Sequence, residues 1–509
     1  MDINKSETVI TSLKTIFESS SEQSIDTDFS LPDYYPEITK ILKIMSDVNI
    51  LSSQCGDNGV SIGGQVVLTL LYVGSDGQPN SFTHIFPFAK SIDTKDATCG
   101  TVTVVPRVGY LNTKAMGPRK VEVHGSIALA ISVIKPDDIS VLTETDCEGI
   151  YTKCSTKQMI EPKGIILKSV FIDDELQIPQ TKPTLSKILR SSAVSSISEC
   201  KTVSGKLVVK GDVDIDILYC PADSGKPLLL SERRGFSQII DCEYEIEGLN
   251  FDVYSSVDSL ELHPKTSIDG EVRNIALEVK IGLEVMPYIV VEKCFVTDAF
   301  SGKYIADITK KDINCDCVAE TINENFVCKK SLDFGVGSIS EIYDTWCKIS
   351  SDHTSYDGND ILSKGQVIVN ILGVDGDNEP IFFERPIDFE YRYSIADNGN
   401  NFRCRPDISL TAVNNTLTPE GRIDISVELK IKATVYKSER LTAVTNITVD
   451  KDNTHPKDNE TAVILYFPEN ETVWEIARKY KTSPEKICEV NAIDNIEDKV
   501  SEILLIPNI

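Results

Sequence analysis

The most regular feature of the chain is a period-two alternation of apolar and polar residues. It recurs in three long stretches, whose apolar positions are Val121, Val123, Ile127, Leu129, Ile131 and Val133, then Ile275, Leu277, Val279, Ile281, Leu283 and Val285, then Ile423, Ile425, Val427, Leu429 and Ile431. Such alternation is typical of a strand with one buried face. Each stretch follows a strand, turn, strand pattern, the first with its turn at 74–77. We therefore expect antiparallel β domains.

The pattern repeats at constant offsets along the chain. An offset of 147 residues carries Gly64 onto Gly211 and the lead-in 31–43 onto 178–190, and an offset of 301 carries Gly64 onto Gly365. A repeat at a fixed offset indicates copies of one structural unit. The fold class predicted is thus mainly β, with three tandem sandwich or barrel-like repeats. Their expected limits are 25–158, 159–308 and 309–447.

Short helices and linkers are expected around these repeats. Val9, Ile10, Leu13, Ile16 and Phe17 recur at helical spacing, which predicts an amphipathic helix within 1–24 that packs on the first β domain or docks a partner. The Ser- and acid-rich stretch 19–28 is expected to be linker. Short helices are predicted at about 36–44 and 183–189, each with a Pro at its start. Residues 448–460 contain few apolar side chains and predict an acidic linker.

The last 49 residues, 461–509, have the pattern of a separate βααβ module. A short strand at 463–467 precedes Thr472 and Glu475, which have the spacing of a helix capping box. Ser483 and Pro484 predict the start of a second helix, and a strand over 500–507 closes the module. Fewer than fifty residues are too few for an enzyme and suit a binding module.

The length and the net charge of the chain restrict the classes of function that it can have. A chain of 509 residues is long enough for three to four domains. Its 51 Lys and Arg stand against 78 Asp and Glu, a net charge of −27, which disfavours nucleic acid and anionic membrane surfaces as partners. No window is long and apolar enough for a spanning helix, and the start lacks an export signal, so a cytoplasmic location is expected.

The side chains that usually carry chemistry are scattered. The 14 cysteines include one close pair, Cys315 and Cys317, but no second pair completes a metal site, so reduced cysteines are favoured over a soft-metal ligand pair. Five histidines lie far apart, and no phosphate-binding glycine motif is present. We expect no enzyme activity, no cofactor and no metal.

The C-terminal module resembles the LysM domain. The matching residues are Thr472, Trp474, Ile476, Ala477, Tyr480, Ser483, Asn491, Leu504, Ile506 and Pro507. The resemblance implies a binding module, which in sugar-binding members holds N-acetylglucosamine between two loops. In those loops this chain has Asn470 and Glu471 in place of Gly-Asp, and 500–502 in place of Pro-Gly-Gln. The lost glycines place Cβ atoms where a sugar ring would approach closely.

Three β repeats, an acidic linker and a terminal LysM domain together resemble the SipL-type spore-coat morphogenetic proteins, whose repeats are called SPOCS domains. That resemblance implies a non-catalytic scaffold in the mother-cell cytoplasm. It implies recruitment to the forespore surface, where the LysM domain binds the ATPase of the coat basement layer, stage IV sporulation protein A, alongside other coat proteins. The alternative is a protein that binds peptidoglycan or N-acetylglucosamine through its LysM domain.

The partner-binding residues expected in this module surround Trp474. In the first helix the inward stripe is Val473, Ile476, Ala477 and Tyr480, which leaves Trp474 on the flank. Its indole could pack against the module's second strand or anchor a protein interface, where Trp and Arg are enriched. The expected surface consists of Trp474, Val463, Leu465, Arg478 and Lys481.

Overall fold

A computed structural model describes residues 5–56, 59–94, 100–223, 226–241, 248–334, 338–358, 360–396, 401–455 and 463–507. Nearly all of the regular structure consists of antiparallel strands, and the helices are confined to the C-terminal module. The mainly β fold predicted from the alternation is confirmed. The strands form three successive units, here called repeats 1, 2 and 3.

Repeat 1 is a sandwich of two three-stranded sheets. Its strands are β1 (Lys5–Ser30), β2 (Ile38–Gly56), β3 (Gly59–Gly74), β4 (Pro79–Ile92), β5 (Thr101–Ala115) and β6 (Lys120–Thr145). One sheet has the order β1-β6-β5 and the other the order β2-β3-β4. The inward residues of the two central strands, β3 and β6, supply most of the buried core. Alternating apolar residues on both facing sheets are what such a sandwich requires.

Repeats 2 and 3 reuse this plan. The strands of repeat 2 are β7 (Ile150–Pro162), β8 (Ile166–Gln177), β9 (Leu185–Val203), β10 (Lys206–Pro221), β11 (Leu228–Asp241), β12 (Leu249–Thr266) and β13 (Val272–Ser301). Those of repeat 3 are β14 (Tyr304–Asp333), β15 (Glu341–Asp357), β16 (Asp360–Val374), β17 (Pro380–Ser394), β18 (Phe402–Cys404), β19 (Asp407–Leu417) and β20 (Arg422–Thr454). Strands β10 and β16 occupy the place of β3, and strands β13 and β20 that of β6.

The three offset glycines share one position in the central strands β3, β10 and β16. Each lies opposite a buried phenylalanine of the next strand, and the pairs are Gly64 with Phe88, Gly211 with Phe236 and Gly365 with Phe389. A Cβ atom on Gly64 would lie 2.5 Å from the Phe88 ring and 2.7 Å from a backbone oxygen. The Phe88 ring thus covers the glycine, and a side chain at the glycine position would displace the ring.

A β-bulge near the start of the second strand directs one side chain of each repeat toward a common centre. The extra residues are Leu42, Leu189 and Tyr343. They pack with Leu71, Leu218 and Leu372 in one cluster that joins all three repeats. A bulge turns a side chain away from the regular alternation, and here the turned side chains form the contact between repeats.

These bulges also explain why the short helices expected at 36–44 and 183–189 are wrong. Both segments run into strands, which begin at Ile38 and Leu185. The extra residues break the period-two pattern, so Ile38, Ile41 and Leu42 take a spacing that imitates a helix. The apolar spacing in these two segments therefore results from β-bulges and not from a helical turn.

The N-terminal amphipathic helix and the linker at 19–28 are likewise wrong. Residues 5–30 form the single strand β1, paired along its length with β6. Ile16 is an extra residue in that pairing, and it shifts the alternation by one position. The β-branched run Thr8–Thr11 also favours a strand over a helix.

The three repeats close into a ring through equivalent contacts. Each contact joins β2 or its equivalent in one repeat (β9 or β15) to the start of β4 or its equivalent in another (β17), or to the turn before that strand (β11). The pairs are Lys187 with Asn80, Lys40 with the carbonyl of Pro380, and Glu341 with Lys226, at 2.5, 3.4 and 2.8 Å. The same interface used head to tail three times returns to its start, as in a cyclic oligomer.

A buried ion pair lies beside this ring contact. Arg190 donates two hydrogen bonds, of 3.1 and 2.8 Å, to one carboxylate oxygen of Asp344, and its guanidinium stacks 4.6 Å from the Trp346 ring centre. Both charged side chains are less than a tenth exposed. Burial raises the pKa of Asp344, and the Arg190 charge opposes that shift. The pair links repeat 2 to repeat 3.

The distal ends of the longest strands form a second junction of all three repeats. Bulges place Thr143, Thr297 and Thr445 as extra residues in β6, β13 and β20. The two residues before each threonine face opposite sides. Val141, Phe295 and Ala443 join one buried cluster, and Leu142, Val296 and Val444 join another. An apolar, apolar, Thr signature therefore marks the junction in each repeat.

Strand pairing divides the chain at other places than the sequence suggested. The first repeat's last strand ends at Thr145 and the second repeat's first strand begins at Ile150, ahead of the expected limit at 158/159. The next division falls between Ser301 and Tyr304, not at 308/309. The expected acidic linker at 448–460 is wrong over 448–454, which complete β20 against β14. Residues 456–460 lie outside the described part of the chain.

The C-terminal module has the βααβ order predicted from sequence. Its elements are β21 (Val463–Tyr466), β22 (Glu471–Thr472), α1 (Val473–Tyr480), α2 (Pro484–Asn491), β23 (Lys499–Val500) and β24 (Leu504–Pro507). Strand β21 pairs with β24, and β22 pairs with β23.

Candidate functional site

The two helices of the C-terminal module begin where the sequence predicts. Thr472 and Glu475 form the capping box, with the Thr472 side chain accepting from the Glu475 amide and the Glu475 carboxylate accepting from the Thr472 amide. Ser483 caps α2 by accepting from the Lys486 amide at 3.3 Å. Asn491 then fixes the last strand through reciprocal 2.8 Å bonds with the backbone of Leu505. The module is thus held by its own local contacts.

The module rests on repeat 2 through the flank of α1. The indole of Trp474 stacks edge to face on Phe300, with ring centres 5.0 Å apart, and Phe300 in turn packs on Tyr151. The indole nitrogen donates a 2.8 Å hydrogen bond to Asp298. Only 3% of Trp474 is exposed. We call this contact the dock.

Asp298 lies beside two positively charged side chains at the dock. It pairs with Lys310 and accepts a 3.2 Å hydrogen bond from Arg478 in addition to the one from Trp474. Burial raises the pKa of Asp298, but the hydrogen bonds from Lys310 and Trp474 outweigh burial and the net shift is downward. The carboxylate is therefore ionised at neutral pH and able to hold the module electrostatically.

Two further contacts border the dock. Lys153 of β7 forms an ion pair with Glu497 of the module at 2.5 Å. At the turn after β13, a Cβ atom on Gly302 would lie 2.8 Å from the backbone carbonyl of Lys481. The module approaches repeat 2 so closely that a glycine is needed there.

The sequence analysis did not identify the repeat 2 side of the dock, although the chain carries a signal for it. Counting from the junction threonines, the positions equivalent to Phe300 hold Asp146 in repeat 1 and Thr448 in repeat 3. The aromatic platform is therefore a feature of repeat 2 alone among the three equivalent positions. Comparison of the three apolar, apolar, Thr signatures would have singled out Phe300.

The structure separates the expected partner-binding residues into two groups. Trp474 and Arg478 lie on the dock side of the module and contact Asp298. Lys481 lies at the edge of that side, where its ammonium is 2.9 Å from a ring nitrogen of His455. Burial and the Lys481 charge lower the pKa of His455. Val463 and Leu465 belong to the β-sheet of the module and are about half exposed.

An exposed apolar surface surrounds Val463 and Leu465. Leu465 lies opposite Leu505 across the β21–β24 pair. Five apolar side chains of this surface are at least 40% exposed, and we call them the apolar strip: Val463, Leu465, Phe467, Ile503 and Leu505. Large apolar side chains grouped on a surface are typical of an interaction site.

The two loops that hold sugar in other LysM domains are tied to each other here. Asn470 adopts the left-handed backbone conformation, with φ of 61°, in place of a glycine. Glu471 pairs with Val500 across the loops, and its carboxylate accepts a hydrogen bond from Tyr466 at 2.5 Å. The carboxylate of Glu471, the residue that replaces the family's Asp in this loop, is thus engaged within the module.

A cleft of about 2260 Å³ opens between the three repeats. Its walls carry charges of both signs, many of them already in ion pairs such as Lys43 with Glu384 and Arg190 with Asp344. Among the described residues, no group of three or more His, Cys, Asp or Glu side chains is placed to hold a metal ion. None of the helices in the described segments is long and apolar enough to cross a membrane.

The sandwich repeats and the docked module define a multidomain β protein with a small terminal binding module. A sequence model described as SipL, SPOCS domain, matches residues 37–116 and 185–265, and the LysM domain model matches 469–499. The chain thus contains two segments that match the SPOCS domain and one that matches the LysM domain, and both domain families are non-catalytic. The two SPOCS matches cover the same elements, β2 to β5 and β9 to β12. No curated protein and no solved structure matches the chain.

Proposed function

We propose that the chain is a non-catalytic scaffold of endospore coat assembly that acts in the mother-cell cytoplasm and is recruited to the forespore surface. Its LysM domain binds the basement-layer ATPase, stage IV sporulation protein A, and the three repeats offer surface to other coat proteins. The SPOCS and LysM matches support this assignment.

The observation that carries the proposal is the apolar strip on the outer sheet of the LysM domain. The dock covers α1, so Trp474 is not accessible to a partner while the domain is docked. Val463 and Leu465 remain exposed in the docked state. We therefore assign partner contact to the strip, and we assign to Trp474 and Arg478 the holding of the domain in place. Lys481 lies at the edge of the dock, beside His455.

The decisive experiment is capture of the purified ATPase by the full chain. Val463→Glu combined with Leu465→Glu should abolish capture, because two charges at the centre of an apolar contact remain unpaired on binding. Val490→Glu is the matched control, since Val490 lies in the same domain and is 49% exposed, as is Val463. It should bind as the unaltered chain does. Capture by the double variant, with normal melting of the chain, would refute assignment to the strip.

Glycan binding is the second candidate, and the LysM match is the observation that favours it. Residues 460–509 carry five Lys and Arg against ten Asp and Glu, so the domain offers no attraction to acidic wall polymers. Sedimentation of the chain with insoluble peptidoglycan tests this candidate directly. Peptidoglycan binding without capture of the ATPase would favour the glycan function over the scaffold.

A further inference from the structure

Three polar side chains, one from each repeat, occupy equivalent positions in the walls of the cleft. They are Thr69, Asp216 and Asn370, which the offsets of 147 and 301 residues carry onto one another. Each lies on the central strand β3, β10 or β16, two residues before a leucine of the apolar cluster that joins all three repeats. Side chains two apart on a strand point to the same face, about 7 Å apart. The three polar groups therefore form the layer of the cleft next to that cluster.

Asp216 differs from the other carboxylates of the cleft in having no cationic partner. The others lie within ion-pair distance of a Lys, Arg or His side chain, and they are Asp47, Asp76, Asp214, Glu232, Glu261, Asp344 and Glu384. In the described part of the chain no such side chain pairs with Asp216, which accepts a 2.5 Å hydrogen bond from the Ser231 hydroxyl. A bound cation would stabilise this unpaired carboxylate.

Arg190 lies close to Asp216 but is already engaged. Ser192 lies opposite Asp216 across the β9–β10 pair, and its hydroxyl accepts a 2.7 Å hydrogen bond from Arg190. The guanidinium also donates to Asp344. Burial raises the pKa of Asp344, the Arg190 charge opposes that shift, and the Asp216 charge adds to it. One guanidinium thus faces two carboxylates, which leaves one negative charge uncompensated.

Repeats 1 and 3 supply neutral oxygen atoms in the same layer. Asn370 is only 6% exposed, and its side-chain nitrogen donates a 3.4 Å hydrogen bond to the carbonyl of Ile368. Its side-chain oxygen accepts no hydrogen bond from the described residues. The Thr69 hydroxyl lies 3.4 Å from that of Thr83 and has a further lone pair. A primary ammonium has three N–H donors and no acceptor, so three oxygens around the axis of the ring match its donors.

We propose that the cleft binds a primary alkylammonium group, with its nitrogen held by the oxygens of Thr69, Asp216 and Asn370. Val67 and Ile368 line the cleft two residues further from the apolar cluster, on β3 and β16, and they flank the alkyl chain. The net charge of −27 favours the approach of a cation. A free polyamine and a lysine side chain of a bound segment both present this group.

Other cations fit this layer less well. An Arg guanidinium is planar and matches paired carboxylate oxygens, not three acceptors around an axis. A divalent cation prefers a larger set of oxygens with more charge, and of the three side chains only Asp216 is charged. The three acceptors and their apolar flank together select an ammonium on an alkyl chain.

The test titrates the full chain with spermidine by calorimetry at about 0.15 M salt, which screens general attraction to an acidic protein. One saturable site per chain is expected. Asp216→Asn should weaken binding about tenfold or more, because a charge-assisted hydrogen bond is lost, and Thr69→Val should weaken it less. Asp212→Asn is the matched control, since it removes the same charge from the same face of β10 outside the cleft walls. Its affinity should equal that of the unaltered chain.

A second titration distinguishes the sources of the ammonium. Its probe is a Gly-Ser peptide with blocked ends and one central lysine. Binding of this peptide that depends on Asp216 assigns the cleft to a lysine side chain as well, whereas binding of spermidine alone assigns it to a free polyamine. The same peptide with trimethyllysine keeps the charge but has no N–H donor, and it should not bind.

Three results would overturn the proposal. They are equal spermidine affinity in Asp216→Asn and the unaltered chain, no saturable binding of either probe, and trimethyllysine binding as tight as that of lysine. If Asp216→Asn does not fold, Thr69→Val decides, and unchanged spermidine affinity in that variant would count against the site. None of these results depends on capture of the ATPase, so this proposal and the scaffold function can fail separately.

Discussion

The indole nitrogen of Trp474 lies 2.8 Å from a carboxylate oxygen of Asp298, residues that belong to the LysM domain and to repeat 2. The same carboxylate accepts from Arg478 and pairs with Lys310. Hydrogen bonds to a charged, half-buried acceptor are worth about 1.5 to 3 kcal/mol. Two of these partners come from the LysM domain, so the bonds hold that domain on the body formed by the repeats.

Replacement of Trp474 by glutamate is expected to release the LysM domain from repeat 2. The change removes the stacking on Phe300 and places a carboxylate beside Asp298. Loss of a large buried aromatic side chain costs about 3 kcal/mol or more. Hydrogen exchange should show faster exchange in 471–481 and near Phe300, while the three sandwich cores stay protected. Lys486→Ala, on the exposed side of α2, should leave both segments unchanged. Unaltered exchange in Trp474→Glu would contradict the dock.

A methyl group at Gly302 is expected to push the LysM domain away without altering any dock side chain. Its Cβ atom would stand 2.8 Å from the backbone carbonyl of Lys481 and 3.0 Å from the Tyr151 ring. Overpacking of this kind costs about 1 to 3 kcal/mol. Gly302→Ala should reproduce, more weakly, the exchange pattern of Trp474→Glu. Gly117→Ala is the matched control, since a Cβ atom there meets nothing within 4 Å. Equal exchange in the two alanine variants would argue against the close approach.

The buried pair Arg190 and Asp344 should behave as a unit. Arg190→Met leaves Asp344 buried without its partner, which costs about 3 to 5 kcal/mol. Because Arg190 and Asp344 come from different repeats, the loss should appear in denaturant unfolding as an earlier transition. The double change Arg190→Met with Asp344→Leu should recover most of the stability, since a hydrophobic replacement of a buried ion pair is often neutral. A double variant no more stable than Arg190→Met would show that the pair's charges are not the main contribution.

The covered glycines predict a second overpacking effect. Gly64→Ala and Gly211→Ala each bring a Cβ atom to within 2.5 Å of a phenylalanine ring atom. Each should destabilise the chain by about 1 to 3 kcal/mol, seen as a lower melting temperature. Gly117→Ala again provides the comparison and should be neutral or slightly stabilising. Similar losses at Gly64 and Gly211 would agree with the shared register. A neutral Gly64→Ala would mean that Phe88 moves aside freely.

Sequence reasoning predicted the regular strands well and failed where the strands are irregular. Ile275 to Val285 alternate without interruption, and they lie in the first half of β13. The errors fall at Ile16, Leu42 and Leu189, each of which is an extra residue in a bulge. A bulge replaces a period of two by a spacing of three locally, which periodicity alone cannot distinguish from a helical turn.

The LysM domain could be predicted because its signals are local. The cap at Thr472 and Glu475 is set within four residues, and the structure reproduces it. The dock joins Trp474 to Asp298 across 176 positions. No local pattern encodes such a pairing, and burial of Trp474 was one of two alternatives that helix geometry left open. The information needed to predict the dock is obtained by comparing the three repeats with each other.

Ring closure within one polypeptide also fixes how many LysM domains each ring can present. A homotrimer built with the same interface would carry identical residues at every equivalent position, and hence three platforms and three LysM domains. Here the three positions are encoded separately, as Asp146, Phe300 and Thr448. The ring has the geometry of a trimer but is monovalent through its LysM domain. Under the proposed function, a ring with one LysM domain attaches to the basement layer at one subunit and does not cross-link neighbouring subunits.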